Sequence, residues 1–138
     1  MARVLGIDPG SKRCGIAVTD SQRTMAFPRP ALAVDEQLFE TIASLIDDEG
    51  VDLVVVGRPV ALSGNVTAST EAADTFYRTL EQRCSPLRVV QWDERLTTFE
   101  AQKSLTDAGM RAKAHRTRVD SAAAVIMLQN YVDALSSN

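Results

Sequence analysis

The chain begins with two short apolar runs on either side of a Pro-Gly turn. Residues 4–7 and 14–19 are rich in strand-forming types, and Pro9 and Gly10 lie between them. Strand-forming runs separated by turn residues are typical of a β-hairpin. The pattern therefore predicts two antiparallel strands with a carboxylate, Asp8, at the bend.

A third strand, a helix and a buried strand are predicted next. Residues 24–32 contain two prolines, which cannot donate ladder hydrogen bonds and therefore place that strand at a sheet edge. Apolar residues then recur at helical spacing over 38–46, with Asp35 expected as the N-cap residue and Gly50 as the stop. Residues 53–56 are continuously apolar and mostly β-branched, which is typical of a strand covered on both faces in a parallel sheet.

The second half of the chain alternates between helical and strand patterns. Apolar residues share one face over 72–80, which predicts a helix, and a strand follows Pro86 over 87–92. Thr97 and Glu100 have the spacing of a capping box, which predicts a helix over about 98–108. A last helix is expected from about residue 119, and its apolar character on nearly every side predicts that it packs deep against the sheet.

The order of these elements predicts an α/β fold with a mixed sheet. The first three strands should be antiparallel, and because crossovers are right-handed, the last two should run parallel to the first. The carboxyl ends of the first, fourth and fifth strands then meet at one edge, where open α/β sheets bind ligands. We expect a single domain, 1–138, of five strands and about four helices, with Asp8, Gly57 and Asp93-Glu94 at that edge.

Composition favours an ordinary globular protein. Of the 138 residues, 45% are hydrophobic and 24% are charged, which excludes disordered and disulfide-scaffold classes. Apolar runs are shorter than the ~20 residues of a membrane span, and the N-terminus lacks the layout of a signal peptide. We therefore expect a cytoplasmic protein without a membrane partner. Cys14 and Cys84 lack the spacing of a zinc site or a redox pair.

Charge is distributed unevenly along the chain. The net charge is −3 at pH 7, and no Lys or Arg occurs over 35–57. Four cations and the single histidine, in contrast, lie close together over 111–118. The protein is therefore not coated in positive charge, but it carries one basic segment that suits contact with nucleic-acid phosphates.

Three acidic residues are candidates for one metal site. Each has a simpler explanation alone, because Asp8 can form the turn, Glu94 can be a polar strand exit, and Asp120 can favour the helix dipole. Together they are predicted to converge, and like charges at close range need a cation between them. Oxygen ligands without paired His or Cys favour one or two ions of Mg²⁺ or Mn²⁺, which suits attack of water on a phosphodiester.

Other residues are candidates for substrate contacts or auxiliary roles. Asp93 is expected to hold the turn by hydrogen bonding, with metal ligation as the alternative. His115 is expected to be a solvated loop residue, with proton transfer as the alternative. The cations expected to contact phosphates are Lys12, Arg13, Arg58, Arg95, Arg111, Lys113, Arg116 and Arg118.

Four segments together resemble the YqgF/RuvX family in order and spacing. They are Asp8-Pro-Gly-Ser-Lys-Arg-Cys-Gly-Ile-Ala-Val-Thr-Asp20, Gly57-Arg-Pro, Asp93-Glu-Arg-Leu-Thr-Thr98 and Val119-Asp-Ser-Ala-Ala. The resemblance covers nearly the whole chain. It implies an RNase H-like fold and a metal-dependent nuclease, with Asp8, Glu94 and Asp120 as its catalytic, metal-binding acids. Relatives commonly have Gly-Leu-Pro where this chain has Gly57-Arg58-Pro59.

The resemblance leaves alternatives for the substrate and the activity. The family is described both as a nuclease that matures the 5′ end of pre-16S rRNA and as a Holliday junction resolvase. We favour precursor rRNA as the substrate, with branched DNA as the alternative. The sequence is compatible with a monomer or a homodimer, and a junction resolvase generally works as a two-fold dimer.

Two rival classes lie outside the nucleases. One is a nucleic-acid-binding module that has lost the chemistry, against which the presence of all three acids weighs. The other is an actin-like or sugar-kinase ATPase, which binds its nucleotide between two related halves. This chain is too short to supply both halves.

Overall fold

The computed structural model describes residues 2–97 and 121–136, which form helices on both faces of a five-stranded sheet. The strands are β1 Arg3–Asp8, β2 Arg13–Thr19, β3 Ala26–Ala33, β4 Val51–Arg58 and β5 Arg88–Asp93. The α-helices of the described residues are α1 Leu38–Glu49, α2 Ala68–Cys84 and α3 Ala122–Ser136, and a 3₁₀ turn, Glu94–Leu96, follows β5. No helix in these two stretches is long and apolar enough to cross a membrane.

The sheet is antiparallel on one side of β1 and parallel on the other. The spatial order is β3-β2-β1-β4-β5. β1 and β3 each pair with β2 in antiparallel fashion, whereas β4 is parallel to both β1 and β5. The predicted mixed sheet is therefore confirmed. The proline-containing β3 lies at an edge, as expected from its missing hydrogen-bond donors.

Each face of the sheet buries its own apolar cluster. In β1, Leu5 and Ile7 pack against residues of α1 and α2, whereas Val4 packs with residues of α3. Successive strand residues point to opposite faces, so Asp8 belongs to the α3 face. Burial on both faces explains why β4 is a continuous apolar run.

The predicted C-terminal end of α1 is confirmed, whereas its predicted N-cap is not. Gly50 ends the helix as predicted, in the left-handed conformation (φ 67°, ψ 51°), and its N–H donates to the Ile46 carbonyl. The prediction of Asp35 as the N-cap is wrong, because the cap residue is Gln37, which makes no side-chain capping bond. The Asp35 carboxylate instead accepts the Gln37 N–H at 2.9 Å and forms a turn before the helix.

The beginning of α3 is attached to the sheet by a buried serine. The Ser121 hydroxyl accepts a hydrogen bond from the Ile16 N–H and donates one to the Arg29 carbonyl. The β2–β3 register shifts between Cys14 and Ile16, and Ser121 bridges the two strands next to this irregularity. The helix then packs along the sheet as predicted, with most of residues 124–128 and Val132 in the core.

Several predicted features lie outside the described residues. They are the helix over about 98–108 with its capping partner Glu100, and the beginning of the last helix near residue 119. Thr97, the expected first residue of that capping box, follows the 3₁₀ turn in extended conformation.

Candidate active site

The carboxyl ends of three parallel strands meet at one edge of the sheet. Asp8 is the last residue of β1, and Glu94 follows directly after β5. β4 lies between these strands and ends at Arg58. The sheet therefore brings Asp8 and Glu94 to one side of the molecule, although they are far apart in sequence.

The carboxyl group of Glu94 is in hydrogen-bonding contact with that of Asp8. Burial of Glu94, this contact, and the negative charges of Asp8 and Asp93 together raise the pKa of Glu94 to about 8. Two carboxyl groups at such close range are not both ionised unless a positive charge compensates them. A cation bound between them would favour loss of the proton, so the pair has the chemistry of a cation site.

Gly57 provides the space that Glu94 occupies. A Cβ atom on residue 57 would lie 3.0 Å from Glu94 Oε1 and 3.0 Å from Met127 Sδ. A side chain on residue 57 would therefore force Glu94 or Met127 to shift by a few tenths of an ångström. From the sequence, Gly57 ends a strand at the expected ligand-binding edge, but its contact with Glu94 is not predicted. The sequence signal for its role is a glycine directly after the mostly β-branched run over 53–56, because a glycine in a strand often marks a close approach of another group.

The predicted turn-holding role of Asp93 is visible in its hydrogen bonds. Its Oδ1 atom accepts the Arg95 N–H at 2.9 Å, and Oδ2 accepts a guanidinium hydrogen bond from Arg95 at 2.6 Å. These contacts hold the pKa of Asp93 below its usual value, with the Arg95 side chain as the largest cause. Asp93 therefore shapes the turn that carries Glu94.

Besides the ion pair between Asp93 and Arg95, a second ion pair joins Arg58 and Asp74. The Arg58 guanidinium donates two hydrogen bonds, of 2.9 and 3.2 Å, to the Asp74 carboxylate on α2. Gln91 donates a further one to Asp74 at 2.9 Å. These bonds, that of Arg58 first, lower the pKa of Asp74. The charges of Asp93 and Arg95 also act on Arg58, so the two pairs form one network at this edge.

The structure describes four of the cations expected to contact phosphates. Lys12 and Arg13 are exposed in and just after the turn that follows Asp8. Arg58 and Arg95 lie at the same edge, with their guanidinium groups in the ion pairs above. The other predicted site residues lie outside the described residues: Arg111, Lys113, His115, Arg116, Arg118 and Asp120.

The described residues bring together two of the three predicted metal ligands. Within 2–97 and 121–136, no group of three metal-ligating side chains occurs. Asp8 and Glu94 form the observed pair, and ligation by Asp120 stays a prediction. Burial raises the pKa of the Cys14 thiol near Asp8, so this cysteine is a buried core residue and not a reactive group.

Comparisons with known proteins agree on one family. The family model described as "RuvX: Holliday junction resolvase" matches residues 2–134. A protein of Shouchella clausii named "Putative pre-16S rRNA nuclease" is 40% identical over 135 residues, covering 95% of this chain and 94% of that protein. A protein of Geobacillus thermodenitrificans with the same name is 38% identical over 135 residues, with 95% and 97% coverage.

Two solved structures of Thermus thermophilus RuvC share the fold. The one in complex with a Holliday junction substrate has a TM-score of 0.62 at 12% identity, covering 99% of this chain and 98% of that chain. The other has a TM-score of 0.54 at 13% identity, with 98% and 96% coverage. This likeness confirms the RNase H-like fold predicted from the sequence.

Proposed function

The chain belongs to the RuvX family, and on this premise we propose that it is a nuclease that hydrolyses phosphodiester bonds with the aid of a divalent metal. The observation that carries the proposal is the contact between Asp8 and Glu94 at the carboxyl edge of the sheet. In such a site the chain's part is to hold carboxylates in fixed positions around the reacting phosphate. β1 and the turn after β5 supply that fixed frame.

We propose Mg²⁺ or Mn²⁺, as one or two ions, for this site. The donors are carboxylate oxygens, which suit hard cations. Burial first, and then the neighbouring Asp8 carboxyl group, raise the pKa of Glu94, and a bound cation would oppose both effects. When bound, such an ion would activate water and stabilise the leaving oxygen. Asp8 and Glu94 are the residues that would hold it.

Asp120 is proposed as the third acidic ligand. The family resemblance assigns it that role, and the next residue in the chain supports the assignment. Ser121 is hydrogen-bonded to Ile16, and Ile16 is the register partner of Ile7, which precedes Asp8. The chain therefore enters α3 close to the strand that carries the first acid.

We propose precursor rRNA as the substrate. The relatives at 38–40% identity are named for pre-16S rRNA, whereas the structure solved with a junction is only 12% identical. The family description favours a Holliday junction as the second candidate. Exposed Lys12 and Arg13, next to Asp8, are proposed to contact phosphates on either substrate.

The experiment compares cleavage of a precursor rRNA leader and a mobile four-way DNA junction with Mg²⁺ or Mn²⁺. We expect the wild type to cut the RNA, and Asp8→Asn to lower the rate by about 100-fold or more while folding and RNA binding persist. Asp48→Asn is the matched control, because Asp48 is exposed near the end of α1 and away from the carboxyl edge. Equal cleavage by Asp8→Asn would identify a contaminating nuclease and refute the proposal.

A further inference from the structure

We propose that Gly57 is a positioning residue. Because it has no side chain, the Glu94 carboxylate can lie beside that of Asp8, where the two can share a cation. The inference rests on the proposed function, because it assigns a role in the same site. It concerns a backbone position that does not touch the substrate or the metal. Its effect is to determine the position of the Glu94 carboxylate.

The register of the sheet places Gly57 between the two acids. Val56 pairs with Ile7 of β1, so the next residue, Gly57, is level with Asp8. On its other side, Gly57 pairs with Trp92 of β5, two residues before Glu94. Asp8 is thus one strand spacing from this glycine, and Glu94 comes two positions after the residue that pairs with it on the other side.

The direction of a side chain on residue 57 follows from the alternation along β4. Leu53 and Val55 belong to the cluster on the α3 face, whereas Val54 and Val56 belong to the opposite cluster. A side chain on residue 57 would therefore point toward α3. The contacts of an added Cβ atom agree, because its nearest neighbours include Met127 of α3.

An added methyl group would displace the carboxylate in preference to the thioether. The Cβ atom would lie 3.0 Å from Glu94 Oε1, 3.2 Å from Glu94 Cδ and 3.0 Å from Met127 Sδ, which is tighter than ordinary van der Waals contact. Met127 is 1% exposed and enclosed by the core, so it has little room to move. Glu94 is only half-buried at the beginning of a 3₁₀ turn, so its carboxyl group can rotate toward solvent.

Gly6 offers a matched control on the neighbouring strand. A Cβ atom at Gly6 would also point toward α3 and would lie 3.0 Å from the Leu128 Cβ atom. The crowding is similar, but its nearest neighbours are all apolar. Gly6→Ala should therefore destabilise the fold at least as much as Gly57→Ala without touching the acids.

The test measures Mn²⁺ affinity by calorimetry and the melting temperature of the metal-free protein. We expect Gly57→Ala to weaken Mn²⁺ binding by about 10-fold. Gly6→Ala should lower the melting temperature and leave the Mn²⁺ affinity within about 2-fold of the wild type. Should Gly57→Ala fail to fold, the same substitution is compared in a Met127→Ala background, where the added methyl group meets Glu94 without the thioether.

A double-mutant cycle with Glu94→Gln separates positioning from a general structural effect. If Gly57 acts through the Glu94 carboxylate, Gly57→Ala should change Mn²⁺ affinity by less than about 2-fold once that carboxylate is absent. An undiminished effect in the Glu94→Gln background, or equal weakening by Gly6→Ala, would overturn the inference. Unchanged affinity in Gly57→Ala would overturn it as well. Failure of the wild type to bind Mn²⁺ would instead refute the proposed function.

Discussion

The hydroxyl oxygen of Ser121 accepts a hydrogen bond of 3.1 Å from the backbone N–H of Ile16. The same hydroxyl donates to the Arg29 carbonyl at 2.6 Å, and Ser121 is fully buried. One side chain thus joins the beginning of α3 to both β2 and β3. This connection fixes the helix against β3 and against β2, which is the antiparallel neighbour of the strand that carries Asp8.

Ser121→Ala should destabilise the protein markedly. The substitution leaves the buried N–H of Ile16 without this partner, and an unsatisfied buried donor costs about 1–3 kcal/mol. The free energy of unfolding in urea measures the effect. Ser44→Ala, at an exposed position of α1, should change it by less than about 0.5 kcal/mol. A loss no larger than that of the control would show that the bridge is not structurally important.

The raised pKa of Glu94 predicts a pH-dependent loss of stability in the metal-free protein. An unfolded glutamate ionises near pH 4.5, whereas in the folded state the pKa of Glu94 is about 8. Between these values the folded state binds more protons than the unfolded state, so stability falls as the pH rises. Glu94→Gln removes this dependence.

In EDTA, Glu94→Gln should exceed the wild type in stability by a margin that grows from pH 5 to pH 8. The margin should reach on the order of 2 kcal/mol after allowance for solvent screening. Urea unfolding at each pH checks it, with the exposed Glu36→Gln as the control. Excess Mn²⁺ should reduce the margin by stabilising the wild type. Parallel pH profiles for the two proteins would contradict the prediction.

Lys12 and Arg13 should contribute to nucleic-acid binding through charge. Both are exposed in and just after the turn that follows Asp8, and they are the described cations proposed to contact phosphates. Each alanine substitution should reduce the slope of log affinity against log salt concentration by about 0.7 to 0.9. Arg88→Ala is the control, because Arg88 is exposed at the opposite end of β5. The same decrease in the control would mean that only net charge matters.

Asp74→Asn should strengthen nucleic-acid binding by releasing Arg58. In the wild type, two hydrogen bonds to Asp74 occupy the Arg58 guanidinium. An asparagine keeps one acceptor oxygen but loses the charge, so it holds the guanidinium less strongly. Arg58 should then pair with a phosphate, and the salt slope should become steeper by about 0.7. Asp47→Asn makes the same change in net charge near the end of α1. Equal tightening by both variants would exclude a specific role for Arg58.

The strand arrangement was predictable because it follows from local patterns. The continuous apolar run over 53–56 reflects a strand buried on both faces, and the structure places it between two parallel neighbours. Gly50 was predictable as a helix stop because the left-handed conformation favours glycine. Such features depend on a few adjacent residues.

The features that were missed depend on contacts between distant segments. Arg58 was expected to contact phosphates because it is a cation at the carboxyl edge. Its partner Asp74 lies on the following helix, and their contact exists only in the packed fold. The importance of a glycine at position 57 depends on Glu94, which follows β5 and lies against that glycine only in the folded protein. Asp35 was misassigned for a local reason, since an Asp before a helix can form a turn as readily as a cap.

The central place of β1 has a consequence for biosynthesis. The ribosome delivers β1 early, whereas its parallel neighbour β4 and the outer strand β5 emerge much later. Parallel pairing requires long loops to close before any contact forms, so it is a slow step in folding. A nascent polypeptide that has not yet added β5 presents Asp8 without Glu94. The growing chain therefore cannot bind a cation between these carboxylates until β5 has docked on β4.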